Sequence, residues 1–334
     1  MIISRAPFRI SFFGGGTDYP SWYEENNGLI VSTSIQHYCY ISLRKLPPFF
    51  GYRNRVVWSK VENISRVEDI EHPVVRAILQ EYGIDGMEIH HTGDLPSRSG
   101  LGSSSSFTVS LIKAVEEFLG KAPSNEEIVS KAVNVEQVKL KEVVGIQDQI
   151  ATSYGGFNQI RISKEGGYDL IPINIGSDNL RLLESSLFLV YSGSKRFSSD
   201  VASLTVNSIS IKSNSMNKIF DLAEESIKMF ENNFDLKNFA ELLNETWSIK
   251  KSIGSFISNN QIDEIFSKGI SAGAFGGKLL GAGGGGFLLF VVPEISRSSF
   301  FKKLKDFLII PLKFDTDGVQ IVFNKLTKSA IEIT

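Results

Sequence analysis

Phe107, Leu111, Val115, Phe118 and Leu119 recur at steps of three and four, the spacing of a helix with one apolar face. Upstream, residues 2–13 read as a strand interrupted by Pro7, and the β-branched and aromatic run at 29–44 reads as another. Arg55 to Trp58 and residues 86–92 add strands, with a helix at 73–82 between them. A second long helix is expected over 125–143, with Ser124 as N-cap and Glu127 closing a capping box. A short one at 146–154 stops at Gly155-Gly156. Strands follow at 158–162, 170–173 and 186–191, then helices near 200–232, 236–257 and 261–270. The strand Phe287–Val292, a helix at 296–308 and a strand at 319–323 close the chain. Strands and helices mix without a regular βαβ alternation, which predicts an α+β fold. At 334 residues two domains are expected, 1–180 and 181–334.

Directly before the helix at 107 stand Gly100, Leu101, Gly102, Ser103, Ser104, Ser105 and Ser106. Glycines let backbone approach a ligand, and a helix start directs unpaired N–H groups at it. The adjacent hydroxyls add donors and metal ligands, a combination suited to a polyphosphate with Mg²⁺. The run lacks the Lys-Ser/Thr of a Walker loop, and Ser105 stands where a dinucleotide fingerprint needs glycine. A free Gly/Ser linker would not flow straight into a helix with a clean apolar face.

Composition narrows the classes. Forty-two per cent hydrophobic and 22 per cent charged residues can fill real cores, and a net charge of −2 offers no basic surface for nucleic acid. The one cysteine, Cys39, lies in an apolar run and reads as a buried thiol. The first residues carry no apolar core of export length, and no stretch is long enough to span a membrane, so a cytoplasmic setting is expected.

Several residues break their local pattern. Val129, Ala132, Val133, Leu140 and Val143 form an apolar stripe, and Glu136 falls on it. A buried carboxylate is costly unless it is paired or metal-bound, so Glu136 is either half of an ion pair or a ligand for Mg²⁺. Asp148, twelve residues on, is either an N-cap or a chemical group. Arg9 and Asp18 bracket the turn Gly14-Gly15-Gly16-Thr17, where Asp18 serves the turn itself or a ligand. Gly281 through Gly286 is too glycine-rich for an ordinary lead-in to a strand, and close approach of backbone to something is favoured over a disordered loop.

Three segments resemble, in order, the motifs of the GHMP family of sugar and mevalonate kinases. They are Arg5–Arg9 through Gly14–Tyr19, Leu95–Ser106, and Leu280–Gly286. Within the family the phrases Ile10–Asp18, Gly100–Val109 and Gly145–Gln149 are most similar to the bacterial heptose 7-phosphate kinases. One departure is Gln36, which stands where those kinases carry an acidic residue.

The resemblance implies an N-terminal domain like domain 2 of ribosomal protein S5, a ferredoxin-like C-terminal domain and an active site in the cleft between them. It implies that residues 100–106 wrap the ATP phosphates, with Ser103 or Ser104 and Glu136 on Mg²⁺. Asp148 and Arg9 are the implied catalytic pair. Asp18, Gly15, Gly16, Thr17, Gly283 and Gly284 are implied on the sugar side. Lys195 and Arg196 are candidates for the substrate's phosphate, with Arg53 and Arg98 as others. The expected reaction is in-line transfer from ATP to the anomeric hydroxyl of D-glycero-D-manno-heptose 7-phosphate, giving the 1,7-bisphosphate for a nucleotide-activated heptose. The alternatives are a kinase for another sugar, such as a fucose-type 1-kinase, or a silent sugar- and nucleotide-binding regulator. A homodimer is left open.

Overall fold

The structure is a computed structural model and describes residues 1–193, 204 and 213–325. Its spine is an antiparallel pair, β1 (Ile2–Phe13) and β2 (Gly28–Lys45), with Arg9 opposite Ser34. The expected interruption at Pro7 is a bulge inside one continuous strand. Pro7 lies past the last residue that β1 pairs with its other neighbour, so its missing N–H breaks no ladder there.

One half of β2 pairs with β5 (Met87–Gly93), which runs parallel to β3 (Asn54–Val57); β3 in turn pairs with β4 (Val61–Ile64). The other half pairs with β6 (Phe157–Ile162), followed by β7 (Tyr168–Pro172). Two C-terminal segments, Phe314–Asp315 on β2 and Gln320–Asn324 on β1, return to complete nine strands. Against this sheet lie α1 (Pro20–Asn26), α2 (Pro73–Tyr82), α3 (Ser103–Phe118), α4 (Asn125–Val133) and α5 (Gln147–Tyr154).

The helix expected over 125–143 is shorter and of two kinds. Its start has the predicted capping box, but α4 ends at Val133 and a π-helical turn continues over Asn134–Lys139. Lys141 then takes φ +53° and the chain leaves as a loop. The wider winding breaks the periodicity on which the longer helix was expected.

After α6 (Ser177–Ser186), which the pattern did not suggest, comes β8 (Leu187–Tyr191). Then follow α7 (Ser213–Asn232), α8 (Leu236–Ile253), α9 (Asn260–Ser271), β9 (Gly276–Leu279), β10 (Phe287–Val291), α10 (Arg297–Lys303) and β11 (Ile309–Pro311). The part of the 200–232 helix before Ser213 lies outside the described residues, Leu204 excepted. The four strands form an antiparallel sheet in the order β11-β8-β10-β9. Strand, helices, two strands, helix, strand in that order is the ferredoxin-like arrangement.

The two sheets share a core. Phe12 of β1 packs edge-on against Phe239 of α8 and Phe157 of β6, with ring centroids 5.4 and 5.7 Å apart. This packing fixes α8 and β9 beside the end of β1. No helix of the described residues is long and apolar enough to cross a membrane.

Candidate active site

The seam between the two sheets holds a cavity of about 550 Å³. Its walls come from the end of β1, the mouth of α3, the loop before α5, α8, and the segment between β9 and β10.

The mouth of α3 starts with Gly102 at φ +73°, followed by Ser103, Ser104 and Ser105, all three on the cavity wall. Their N–H groups have no carbonyl within the helix to bond. A Cβ on Gly102 would sit 3.0 Å from the Arg9 side chain and 3.3 Å from an Asp148 oxygen, so glycine lets that pair close on the helix mouth. Arg9 Nε donates to Asp148 Oδ1 at 2.6 Å and Nη2 to Oδ2 at 2.8 Å, while Nη1 donates to the Gly100 carbonyl at 2.6 Å. This is a bidentate pair with a buried arginine and an aspartate side chain 24 per cent exposed. Asp148 lies in the first turn of α5, where Ile146 holds the cap position, so the aspartate does not serve as N-cap.

Glu136 is fully buried, as its place on the stripe demanded. No cation pairs with it among the described residues. Its Oε2 accepts from Ser105 Oγ at 2.9 Å and from Gln149 Nε2 at 2.5 Å, and Oε1 has no partner. Burial pushes its carboxyl up to about 7, outweighing the hydroxyl and amide donors around it. Ser105, rather than Ser103 or Ser104, is the serine that touches Glu136; Ser103 Oγ accepts the Arg98 N–H at 3.1 Å.

On the opposite wall Asp18 accepts the Gly16 N–H at 3.1 Å and is almost completely buried. Burial, reinforced by the Asp148 charge, raises its pKa above the ordinary carboxylate value. Gly15 and Gly16 line the cavity beside it. Thr17 does not: its hydroxyl is buried 2.8 Å from the Gly14 carbonyl and takes the Leu29 N–H at 3.0 Å, which pins the turn to β2. Leu101 and Ser106 are likewise buried behind the helix mouth, with Ser106 Oγ 2.9 Å from the Pro7 carbonyl.

Gly283 and Gly284 face the protein. Gly283 packs on Ile257 and the Gly284 N–H donates to the Ile257 carbonyl at 2.9 Å; the cavity reaches Gly281 and Ala282 instead. Gly281 sits at φ +74°, where a Cβ would start 2.4 Å from the Gly100 Cα. The third glycine run therefore packs backbone to backbone against the serine loop. Arg98 lines the cavity, whereas Arg53 pairs with Asp85 at 2.7 Å away from it. Lys195 and Arg196 lie outside the described residues. Gln36 is exposed, donates to the Phe314 carbonyl at 3.1 Å and takes no part in the cavity.

Three lysines that sequence reasoning does not single out, Lys141, Lys250 and Lys278, line the cavity. Lys278 of β9 is buried and its Nζ donates to the Ser11 and Phe12 carbonyls at 3.1 and 2.7 Å, tying the second sheet to β1. Burial, with Lys250 and Arg9 nearby, holds its ammonium well below the usual lysine range. Lys250 of α8 donates to the Gly281 carbonyl, and burial together with the Arg9 charge lowers it to about 8 against the pull of Asp18. A lysine inside a short apolar strand is the sequence signal that marks Lys278.

A two-domain α+β fold, a helix mouth carrying serines and a carboxylate–arginine pair in one cleft define the class of small-molecule kinases. The family model described as the GHMP kinases N terminal domain matches residues 69–156, and that of the GHMP kinases C terminal matches 224–310. The chain is 27 per cent identical to the D-glycero-alpha-D-manno-heptose 7-phosphate kinase of Campylobacter jejuni, covering 91 per cent of this chain and 93 per cent of that one. It is 25 per cent identical to the bifunctional fucokinase/GDP-fucose pyrophosphorylase of Arabidopsis thaliana over 92 per cent of this chain, which spans only 31 per cent of that protein. The solved structure of a D-glycero-D-manno-heptose 1-phosphate kinase from Bacteroides thetaiotaomicron has the same fold, with a TM-score of 0.79 at 24 per cent identity over 98 per cent of this chain and all of that one. The chain belongs to the GHMP kinase family. It is a phosphotransferase with an alcohol as acceptor and ATP as donor.

Proposed function

We propose that this kinase phosphorylates the anomeric hydroxyl of D-glycero-D-manno-heptose 7-phosphate, giving the 1,7-bisphosphate on the way to a nucleotide-activated heptose. The observation that carries the reading is the Arg9–Asp148 pair, closed over the mouth of α3 in the same cavity as Asp18. The heptose kinase relative, matched over nearly its whole length, supports the choice of sugar. The N–H groups at the mouth of α3, with the hydroxyls of Ser103 and Ser104 on the cavity wall, take the triphosphate. The anomeric oxygen attacks the γ-phosphorus, the bond to the bridging oxygen of ADP breaks, and the hydroxyl proton passes to or is oriented by Asp148. Arg9 fixes both Asp148 oxygens and meets charge that develops in transfer. Asp18, with Gly15 and Gly16, binds sugar hydroxyls.

Ser103, Ser104 and Glu136 would hold Mg²⁺, whose charge would offset that of the triphosphate. The donors fit a hard cation: all are oxygens, and Glu136 keeps one buried oxygen without a partner. Residues 1–180 and 181–334 are proposed as the two domains, with the strands at 314–315 and 320–324 returning to the first sheet. Dependence on ATP supports a cytoplasmic setting.

The fucokinase relative favours a second reading, a fucose-type 1-kinase. ADP release on mixing with Mg-ATP and C6 and C7 sugars, with and without a terminal phosphate, separates the two. The heptose 7-phosphate is expected to be fastest. A 6-deoxyhexose turning over faster would move the assignment to the second reading, and no sugar exceeding the ATP-only rate would remove both.

A further inference from the structure

We infer that Lys250 is a phosphate-binding cation on the acceptor side of the cleft, an inference that rests on the sugar-kinase reading above. Lys250 projects from α8 into the cavity that holds Arg9, Asp18 and Asp148. No carboxylate pairs with it among the described residues. Its single hydrogen bond there goes to the Gly281 carbonyl, and an ammonium has three donors, so two are left toward the cavity. Two other cations of the cavity, Arg9 and Lys278, are already anchored to protein groups. Arg9 gives one donor from each of its three nitrogens to Asp148 and the Gly100 carbonyl, and Lys278 gives two of its three to Ser11 and Phe12. The next residue on the helix, Lys251, shows the ordinary alternative: it meets Asp263 at 3.5 Å on the surface.

A lysine partly withdrawn from water beside a second cation is disfavoured unless an anion comes to it. Its depressed pKa of about 8 records that cost. Asp18 attracts the ammonium, but Asp18 is itself raised by burial and bonded to its own turn. The anion that fits is a phosphate group. It has two sources in this reaction, the terminal phosphate of the sugar and the γ-phosphoryl group of ATP.

The alternative is a structural clasp on the Gly281 loop. Lys250→Gln separates the two, because an amide can still donate to the Gly281 carbonyl but carries no charge. Steady-state kinetics of the full chain and of K250Q would be run with Mg-ATP and the sugar with and without its terminal phosphate, with thermal melting alongside. The expected loss in kcat/KM is roughly tenfold or more, on the scale of removing a charged partner from a buried phosphate. A rise in KM confined to the phosphorylated sugar assigns the terminal phosphate. A fall in kcat with both sugars assigns the transferred group. K250Q matching the wild type on both sugars overturns the inference, as does a loss that appears only as a lower melting temperature.

Were the wild type to release no ADP with any sugar, the sugar-kinase reading would fail on its own. Calorimetric titration with inorganic phosphate would then decide this one. Weaker binding to K250Q supports the role of Lys250, and equal binding overturns it.

Discussion

Two carboxylates twelve residues apart, Glu136 and Asp148, flank the mouth of the same helix and are held in opposite ways. Asp148 reaches the cleft with both oxygens gripped by one guanidinium. Glu136 is sealed beneath the serines, with one oxygen bonded to neutral donors and the other to nothing. A charge with a resident partner is ready before any ligand arrives. A charge without one is suppressed by burial until a cation supplies what the protein omits. The comparison thus divides the site into a pre-assembled half, Arg9–Asp148, and a half completed by what binds.

Asp148→Asn breaks the pre-assembled half and should have the largest effect. The amide keeps the size of the group but cannot take a proton, and kcat should fall roughly 10²-fold or more. Arg9 is buried and loses its counter-charge, so urea unfolding should show a destabilisation of about 1–3 kcal/mol. Near wild-type turnover in a folded D148N protein would remove Asp148 from the chemistry.

How much of this was legible from residues alone differs by side chain. Glu136 was found because a charge interrupts an apolar stripe, and burial followed from that. Lys250 carries the same signal: it lies three residues after Trp247 and three before Ile253, both buried on α8. There the pattern predicts a helix over 236–257 and does not by itself single out the lysine. The Arg9–Asp148 contact joins positions 139 residues apart, and no local pattern encodes which arginine meets which aspartate. The glycines at 281–286 were correctly read as a close approach, but sequence does not say to what. Most of that approach is to Ser99, Gly100 and Ile257 of the protein itself. The end of α4 was missed because periodicity assumes one winding, and a π-helical turn changes it without changing composition. The split four-stranded sheet was implied by the family resemblance, since local patterns give strands but not their order.

Glu136→Gln tests the other half, with a smaller effect on a protein saturated with metal. In the metal-free wild type the folded pKa of Glu136, about 7, lies above its ordinary value of 4.5. The folded state therefore holds the proton more tightly than the unfolded chain. That contribution to stability is full below about pH 4.5 and is lost as pH rises to about 7. Melting temperature against pH should lose this component in E136Q. The Mg²⁺ concentration for half-maximal rate should rise roughly tenfold, the lower end of what losing a ligand's support does to metal affinity. An unchanged magnesium titration would count against a ligand role.

Ser105→Ala is the mildest change and sharpens the contrast most. The Ser105 hydroxyl donates to Glu136 and so favours its ionised form. Without it the melting-against-pH midpoint assigned to Glu136 should move upward, the sign opposite to what adding a cation would do. If Ser103 and Ser104 are the serines that serve the metal, S105A should leave the magnesium titration within roughly threefold of wild type, since a donor that only tunes the carboxylate contributes about 1 kcal/mol or less. A magnesium demand as high as that of E136Q would transfer the metal role to Ser105, the one serine of the run in contact with the buried carboxylate.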